Sequence, residues 1–150
     1  MRTNRDLQLV IAGGNQEVRS GMRARLAIFD DILVVADCAS AEEARAALAS
    51  APVDLLILDT DLPDRGGLEF LASLSAGYPG AVIFTSSSKD QAVAAFQFHP
   101  VDFVMQPVDG ERLLSAVSRV RGQLEARYGA LALASRMPAS RVVEPKTRRL

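Results

Sequence analysis

Residues 55–71 read LLILDTDLPDRGGLEFL, and the order of residue types in that stretch decides the fold. The apolar run at 53–58 is too short for an ordinary helix and lacks the alternation of a half-wetted strand, so it suits a strand covered on both faces. Asp59 closes the run, Pro63 and the pair Gly66-Gly67 break the chain, and a helical pattern follows. A strand, an acidic strand end, a loop and a helix make one β-α unit of a parallel sheet.

Read outward from there, the same rhythm fills the chain from Leu7 to about Gly122, without an internal repeat. Strands are expected at 7–12, 32–37, 53–58, 81–85 and 101–105. Between them, 16–29 places Val18, Met22, Leu26 and Phe29 on one helical face, and 40–49 opens on a capping box of Ser40 and Glu43. A third helix follows Gly67, a fourth spans 89–98, and a fifth begins after Pro107 with Asp109 as its N-cap. Strict alternation predicts an α/β fold, a doubly wound five-stranded parallel sheet whose ligands sit beyond the carboxyl ends of the strands.

A chain of 150 residues, 49% hydrophobic, is the size of one domain with a short appendage. A formal net charge of −1 excludes a broad basic field for nucleic acid. Cys38 and His99 are the sole cysteine and histidine, so an internal disulfide and a Cys/His zinc cluster are excluded. The opening MRTNRD is not a signal peptide, and no apolar run approaches the roughly 18 residues of a membrane span. The expectation is a soluble, cytoplasmic protein without a membrane partner.

The candidate site is the set of strand-end residues: Gly13 and Gly14, Asp59, Thr85 and Gln106. Two glycines before a helix suggest a cradle for a small anion or a nucleotide, because free N–H groups and the positive end of the helix dipole meet there. Neither the dinucleotide fingerprint nor the P-loop pattern is met.

At these positions the chain resembles the receiver domain of bacterial two-component response regulators, the CheY-like family. The stretch 55–71 is similar to the phosphoacceptor segment, with Asp59 as acceptor. VIFTS at 82–86 resembles the strand ending in the family's Thr/Ser, and VDFVMQPV at 101–108 resembles its fifth strand, with Phe103 at the aromatic switch position and Pro107 after a cis peptide. The resemblance implies a flavodoxin-like sheet of order 2-1-3-4-5 with five helices, and Thr85 and Phe103 as a switch pair. Residues 95–113 are most similar to receivers that precede a LytTR DNA-binding domain.

Phosphoryl transfer to a carboxylate depends on positioning and on cations that cancel charge on the phosphoryl oxygens. The family supplies Mg²⁺, held by an acidic pair after the first strand, and a Lys before the fifth-strand Pro. Here the acidic pair aligns with Gly13 and Gly14, and the Lys with Gln106. The resemblance with these departures implies a degenerate receiver: not an enzyme, Mg²⁺ binding lost and no other cofactor, Asp59 a vestigial acceptor. Two alternatives stay open, a phosphorylatable Asp59 and an anion or nucleotide sensor at Gly13-Gly14. The direction of any shift in the Asp59 pKa is open as well, since lost acids and a lost Lys act oppositely.

In the last helix, Leu113, Val117, Val120 and Leu124, then Tyr128 or Arg127 and Leu131, recur at steps of four and three to about Met137, where Pro138 ends the pattern. Such a seam suggests a partner helix in a homodimer. The other reading is that its first half packs on the sheet, with Gly122 and Gly129 weakening the rest. The expected organisation is a receiver-like domain at 1–122, a helix extension at 123–137 and a basic, proline-containing linker or tail at 138–150. The expected working face lies on the fourth helix, fifth strand and fifth helix, with Phe96, Phe98, Leu113, Val117, Val120 and Leu124. Implied partners are a second copy, a downstream output domain or partner protein, and a histidine kinase; DNA would be touched only through an output domain beyond residue 150.

Overall fold

Alternation of side chains along five apolar strands gives the sheet two buried faces, and the helices divide between them. The computed structural model describes residues 6–74 and 77–135. Its elements are β1 (Leu7–Ala12), α1 (Gln16–Leu26), β2 (Ile32–Cys38), α2 (Ala41–Ser50), β3 (Leu55–Asp59), α3 (Gly67–Ala72), β4 (Ala81–Ser86), α4 (Asp90–Ala95), a 3₁₀ turn (Phe96–Phe98), β5 (Asp102–Met105) and α5 (Gly110–Ser135). All strands are parallel, in the order β2-β1-β3-β4-β5, the flavodoxin-like arrangement that the sequence implies.

One face is covered by α1 and α5. Leu9, Ile11, Leu55, Ile57, Ile83 and Val104 meet Met22, Leu26 and the buried stripe of α5 there. The other face carries Val10, Leu56, Leu58, Phe84 and Phe103 against α2, α3 and the 3₁₀ turn. Burying each such side chain contributes about 1.5–3 kcal/mol.

This packing corrects the seam reading. Leu113, Val117 and Val120 have no exposed surface and Leu124 is 6% exposed, all within the core cluster against the sheet and α1. This first part of the seam is spent inside the domain, and these four residues present nothing to a partner. A helix lying on a sheet needs the same steps of three and four as a helix lying on a helix. Tyr128 and Leu131 lie outside the described side chains, and Met137, Pro138 and the 138–150 tail outside the described residues.

Other boundaries differ by local chemistry. Asp54 precedes β3, its carboxylate accepting from Gln8 N–H at 2.8 Å. The expected fourth helix breaks after Ala95 into the 3₁₀ turn, which His99 ends in the left-handed region at φ 53°. Among the described residues, no helix is long and apolar enough to cross a membrane.

One glycine is demanded by contact. A Cβ at Gly67 would stand 2.1 Å from the Asp59 carbonyl oxygen, so the first turn of α3 can press on the end of β3 only without a side chain. Replacement of Gly67 by Ala is expected to cost about 2 kcal/mol or more, because backbone must move rather than a flexible side chain; urea unfolding measures it.

Candidate functional site

Strand parity collects the site. Ile11, Ile57, Ile83 and Val104 face the α1–α5 layer, and the period of two carries Gly13, Asp59, Thr85 and Gln106 to that same face at the carboxyl edge. Asp59 and Thr85 are register partners across β3 and β4. A Cβ at Gly13 would lie 3.6 Å from Asp59 Cβ. The peptide between Gln106 and Pro107 is cis, as the resemblance implies.

Only neutral donors hold Asp59. Its Oδ1 accepts the Asp61 backbone N–H at 3.0 Å, and its Oδ2 accepts Gln106 Nε2, also at 3.0 Å. The same Nε2 stands 3.5 Å from Thr85 Oγ1, so one amide spans both surviving positions. Burial pushes the Asp59 pKa up; the hydrogen bonds from Asp61 and Gln106 oppose this, and the Asp61 charge adds to it. The direction left open by the sequence is therefore upward.

Gly13 is tied into the fold at both of its backbone polar groups. Gly13 N–H donates to the Cys38 carbonyl at 3.0 Å, continuing the β1–β2 ladder. The Gly13 carbonyl accepts Arg19 Nη1 at 2.6 Å, and Arg19 Nε pairs with Asp37. Asn15 caps α1 with its own side chain, accepting Val18 N–H at 3.1 Å. The cleft beside these groups, about 510 Å³, is lined by Gly14, Asn15, Asp59, Asp61, Leu62, Pro63, Ser87 and Gln106. Asp59 and Asp61 are the charged side chains that line it, and no arginine or lysine does. This lining offers an anion or a nucleotide at Gly13-Gly14 no cationic side chain within the cleft.

Mg²⁺ demands near-octahedral oxygen ligation and leans on carboxylates. Gly13 and Gly14 bring none, which leaves Asp59 and Asp61 as the carboxylates lining the cleft. Among the described residues, no group of three His, Cys, Asp or Glu side chains is disposed to hold a metal. The acidic pair that the family uses for the ion is thus replaced here by two glycines.

Thr85 is buried at the end of β4. Phe103 is half-buried on the opposite sheet face, its ring centre 6.5 Å from that of Phe84, which in turn meets Phe98 edge-on at 6.2 Å. Phe98 is thus occupied by the aromatic cluster. Phe96 is 65% exposed, beside Val93 at 77%. Of the six expected partner-face residues, Phe96 alone is freely presented, and Val93 joins it unforeseen.

Sequence reasoning also missed Arg19 and Asp64. Asp64, in the β3–α3 loop, accepts the Ala41 and Glu42 N–H groups at 2.8 and 3.0 Å, capping α2 from outside. Asp102, at the start of β5, binds Arg112 through both oxygens at 2.6 Å and Arg119 at 2.8 Å. That pairing holds the Asp102 pKa down. The one sequence signal for it was an acid on β5 with arginines on the following helix.

Comparison with known proteins agrees with this geometry. The family described as the response regulator receiver domain matches residues 9–118. An uncharacterized response regulatory protein of Yersinia pestis is 30% identical over 118 residues, covering 79% of this chain and 50% of that protein. The transcriptional regulatory protein BtsR of Salmonella typhi is 30% identical over 115 residues, 77% of this chain and 48% of its own. The sensory transduction protein LytR of Staphylococcus haemolyticus is 29% identical over 92 residues, 61% of this chain and 36% of that one. The chain spans about half the length of the first two relatives. Among solved structures, the REC domain of AraT from Geobacillus stearothermophilus superposes with a TM-score of 0.73 at 25% identity, covering 81% of this chain and 98% of that one.

The raised Asp59 pKa fixes a sign. A carboxyl whose folded pKa exceeds its unfolded one favours the fold below the unfolded value, and that contribution is lost as pH rises through the folded value. Asp59→Asn is therefore expected to raise the melting temperature at pH 7, with Gln106 rotating to present its oxygen. The gain should vanish below the ordinary carboxylate pKa of 3.8; melting curves across pH check it.

Proposed function

The chain belongs to the response regulator receiver family, a family of signal-transduction modules, and from that premise we propose that it is a pseudo-receiver: a regulatory module that works by binding partners and not by phosphorylation of Asp59. The observation that carries this reading is the neutral setting of Asp59. The Gln106 amide at 3.0 Å occupies the place of a cation, and Gly13 and Gly14 leave the carboxylate without a metal site. A phosphoryl group arriving there would bring negative charge to a half-buried carboxylate with no positive side chain lining the cleft.

The partner in this reading is a second copy, meeting through Val93 and Phe96. Both project from α4 and its 3₁₀ extension, three residues apart, while Ala95 between them is buried, so they fall on one exposed side of that element. Asp102, Arg112 and Arg119 flank the elements beside it and supply charges of both signs. A downstream output domain or partner protein would read the assembly, as the greater length of the transcriptional relative BtsR suggests. A histidine kinase upstream is compatible with the fold but is not needed by the mechanism.

Incubation with a small phosphodonor and Mg²⁺, followed by intact-mass measurement, tests the central point. No phosphoryl gain is expected; a gain that Asp59→Asn abolishes would overturn it. Restoring Gly13→Asp, Gly14→Asp and Gln106→Lys together is expected to return Mg²⁺-dependent phosphorylation of Asp59. Gly13 has room for the new side chain, whereas at Gly14 a Cβ would lie 3.1 Å from Pro63 Cδ.

Self-association is read by analytical ultracentrifugation. A dimer is expected, and Phe96→Ser with Val93→Ser should weaken it by about 1.5–3 kcal/mol per removed side chain without lowering the melting temperature of the monomer. A monomer at high micromolar concentration would contradict the assembly.

A further inference from the structure

Away from the Asp59 cleft, three elements converge on a single oxygen. Ser73, at the C-terminal end of α3, accepts at Oγ from Arg45 Nη2 of α2 at 2.8 Å and from Arg65 Nη1 of the β3–α3 loop at 3.4 Å. The hydroxyl itself donates to the Phe70 carbonyl at 2.6 Å. The Arg45 guanidinium is steadied over the Phe70 ring, 5.3 Å from its centre. Two positive groups from different elements are thus aimed at one neutral atom.

The carboxylates near them lie on the Arg65 side: Asp64 interacts with Arg65 through its charge, while its oxygens are taken up by the Ala41 and Glu42 N–H groups. Glu69 stands 4.0 Å from Arg65 Nε and its side chain is 72% exposed, the distance and setting of a weak surface pair. Arg45 has no ion pair among the described residues, its polar contact being the Ser73 hydroxyl. Ser73 is exposed, so an ion from solvent can reach the point where the guanidiniums meet.

We propose that Arg45, Arg65 and Ser73 form a binding site for a phosphate dianion, either the free ion or a phosphate monoester. The donors fit that chemistry. Two planar guanidiniums approaching from separate elements, with a hydroxyl that can turn from the Phe70 carbonyl, address three oxygens of a tetrahedral anion; a carboxylate offers two oxygens in one plane. Arg65 follows Asp64, which already ties the β3–α3 loop to the N-terminus of α2. A bound dianion ties the same loop to the body of α2 a second time. The loop walls the Asp59 cleft, so the site is placed to brace that wall from outside. The proposal is independent of whether Asp59 is phosphorylated.

The test uses the whole chain, labelled for observation of the arginine Nε–Hε resonances by NMR, titrated with inorganic phosphate and separately with methyl phosphate, against chloride at matched ionic strength. Saturable movement of two arginine signals with either phosphate probe, absent with chloride, is expected. Arg45→Gln and Arg65→Gln, each confirmed folded by its melting curve, should each remove one of those signals and weaken binding about tenfold or more through loss of a charge-assisted donor. Tighter binding of methyl phosphate would identify a phosphorylated group as the source, and tighter binding of the inorganic ion the free anion. Shifts that are linear, that chloride reproduces, or that persist in both variants would overturn the site.

Discussion

A parallel sheet buried on both faces constrains everything else in this molecule. Its strand interiors must be apolar, since an unpaired polar group between two helical layers is costly, and the chain complies along β3, β4 and the part of β1 beyond Gln8, whose buried Oε1 lacks a hydrogen-bond partner among the described residues. Polar side chains gather at the strand edges, Gln8, Asp54 and Asp102 where strands begin and Asp59, Thr85 and Gln106 where they end. Asp59, Thr85 and Gln106 meet for that reason, and each strand's parity decides which face of the sheet its terminal residue joins. Thr60 and Ser86, one residue further along β3 and β4, fall on the other face and bond to one another at 2.7 Å.

That constraint explains what was legible in the sequence. Short, largely apolar runs such as 53–58 have few ways to be buried, so strand number and the identity of the strand-end residues could be read directly, while the strand order came with the family resemblance. The substitutions at Gly13, Gly14 and Gln106 were visible as soon as those ends were aligned with the family. The stripe of α5 was legible as apolar but not as to what it faces. Over the three turns from Leu113 to Leu124, a period of 3.6 and a period of 3.5 differ by a few tens of degrees, so a helix on a sheet and a helix on a helix leave nearly the same trace. The sheet was the competitor with more area to offer, and it won.

The remainder was illegible because it depends on encounters between distant segments. Arg19 reaches back to the Gly13 carbonyl and across to Asp37; no local pattern marks it as different from Arg23 or Arg25 on the same helix. Burial of Asp59 sets the direction of its pKa, and burial is a property of the packed layers, not of the residue's neighbours in sequence. Phe96 and Phe98 show the same limit at close range. Two residues apart on a 3₁₀ turn, one is exposed and the other joins the Phe84 cluster, because a turn of three residues places them on different sides.

The external cap on α2 carries a consequence for how the molecule opens. A helix whose first N–H groups are satisfied by its own N-cap residue can fray alone. Here Ser40 serves Glu43 N–H from within, while Ala41 and Glu42 depend on Asp64, which lies beyond β3. The first turn of α2 and the β3–α3 loop therefore loosen together or not at all, as one cooperative unit of local unfolding. Any event that shifts the loop is reported at the start of α2, and slow amide exchange in the two segments should rise and fall as a single population.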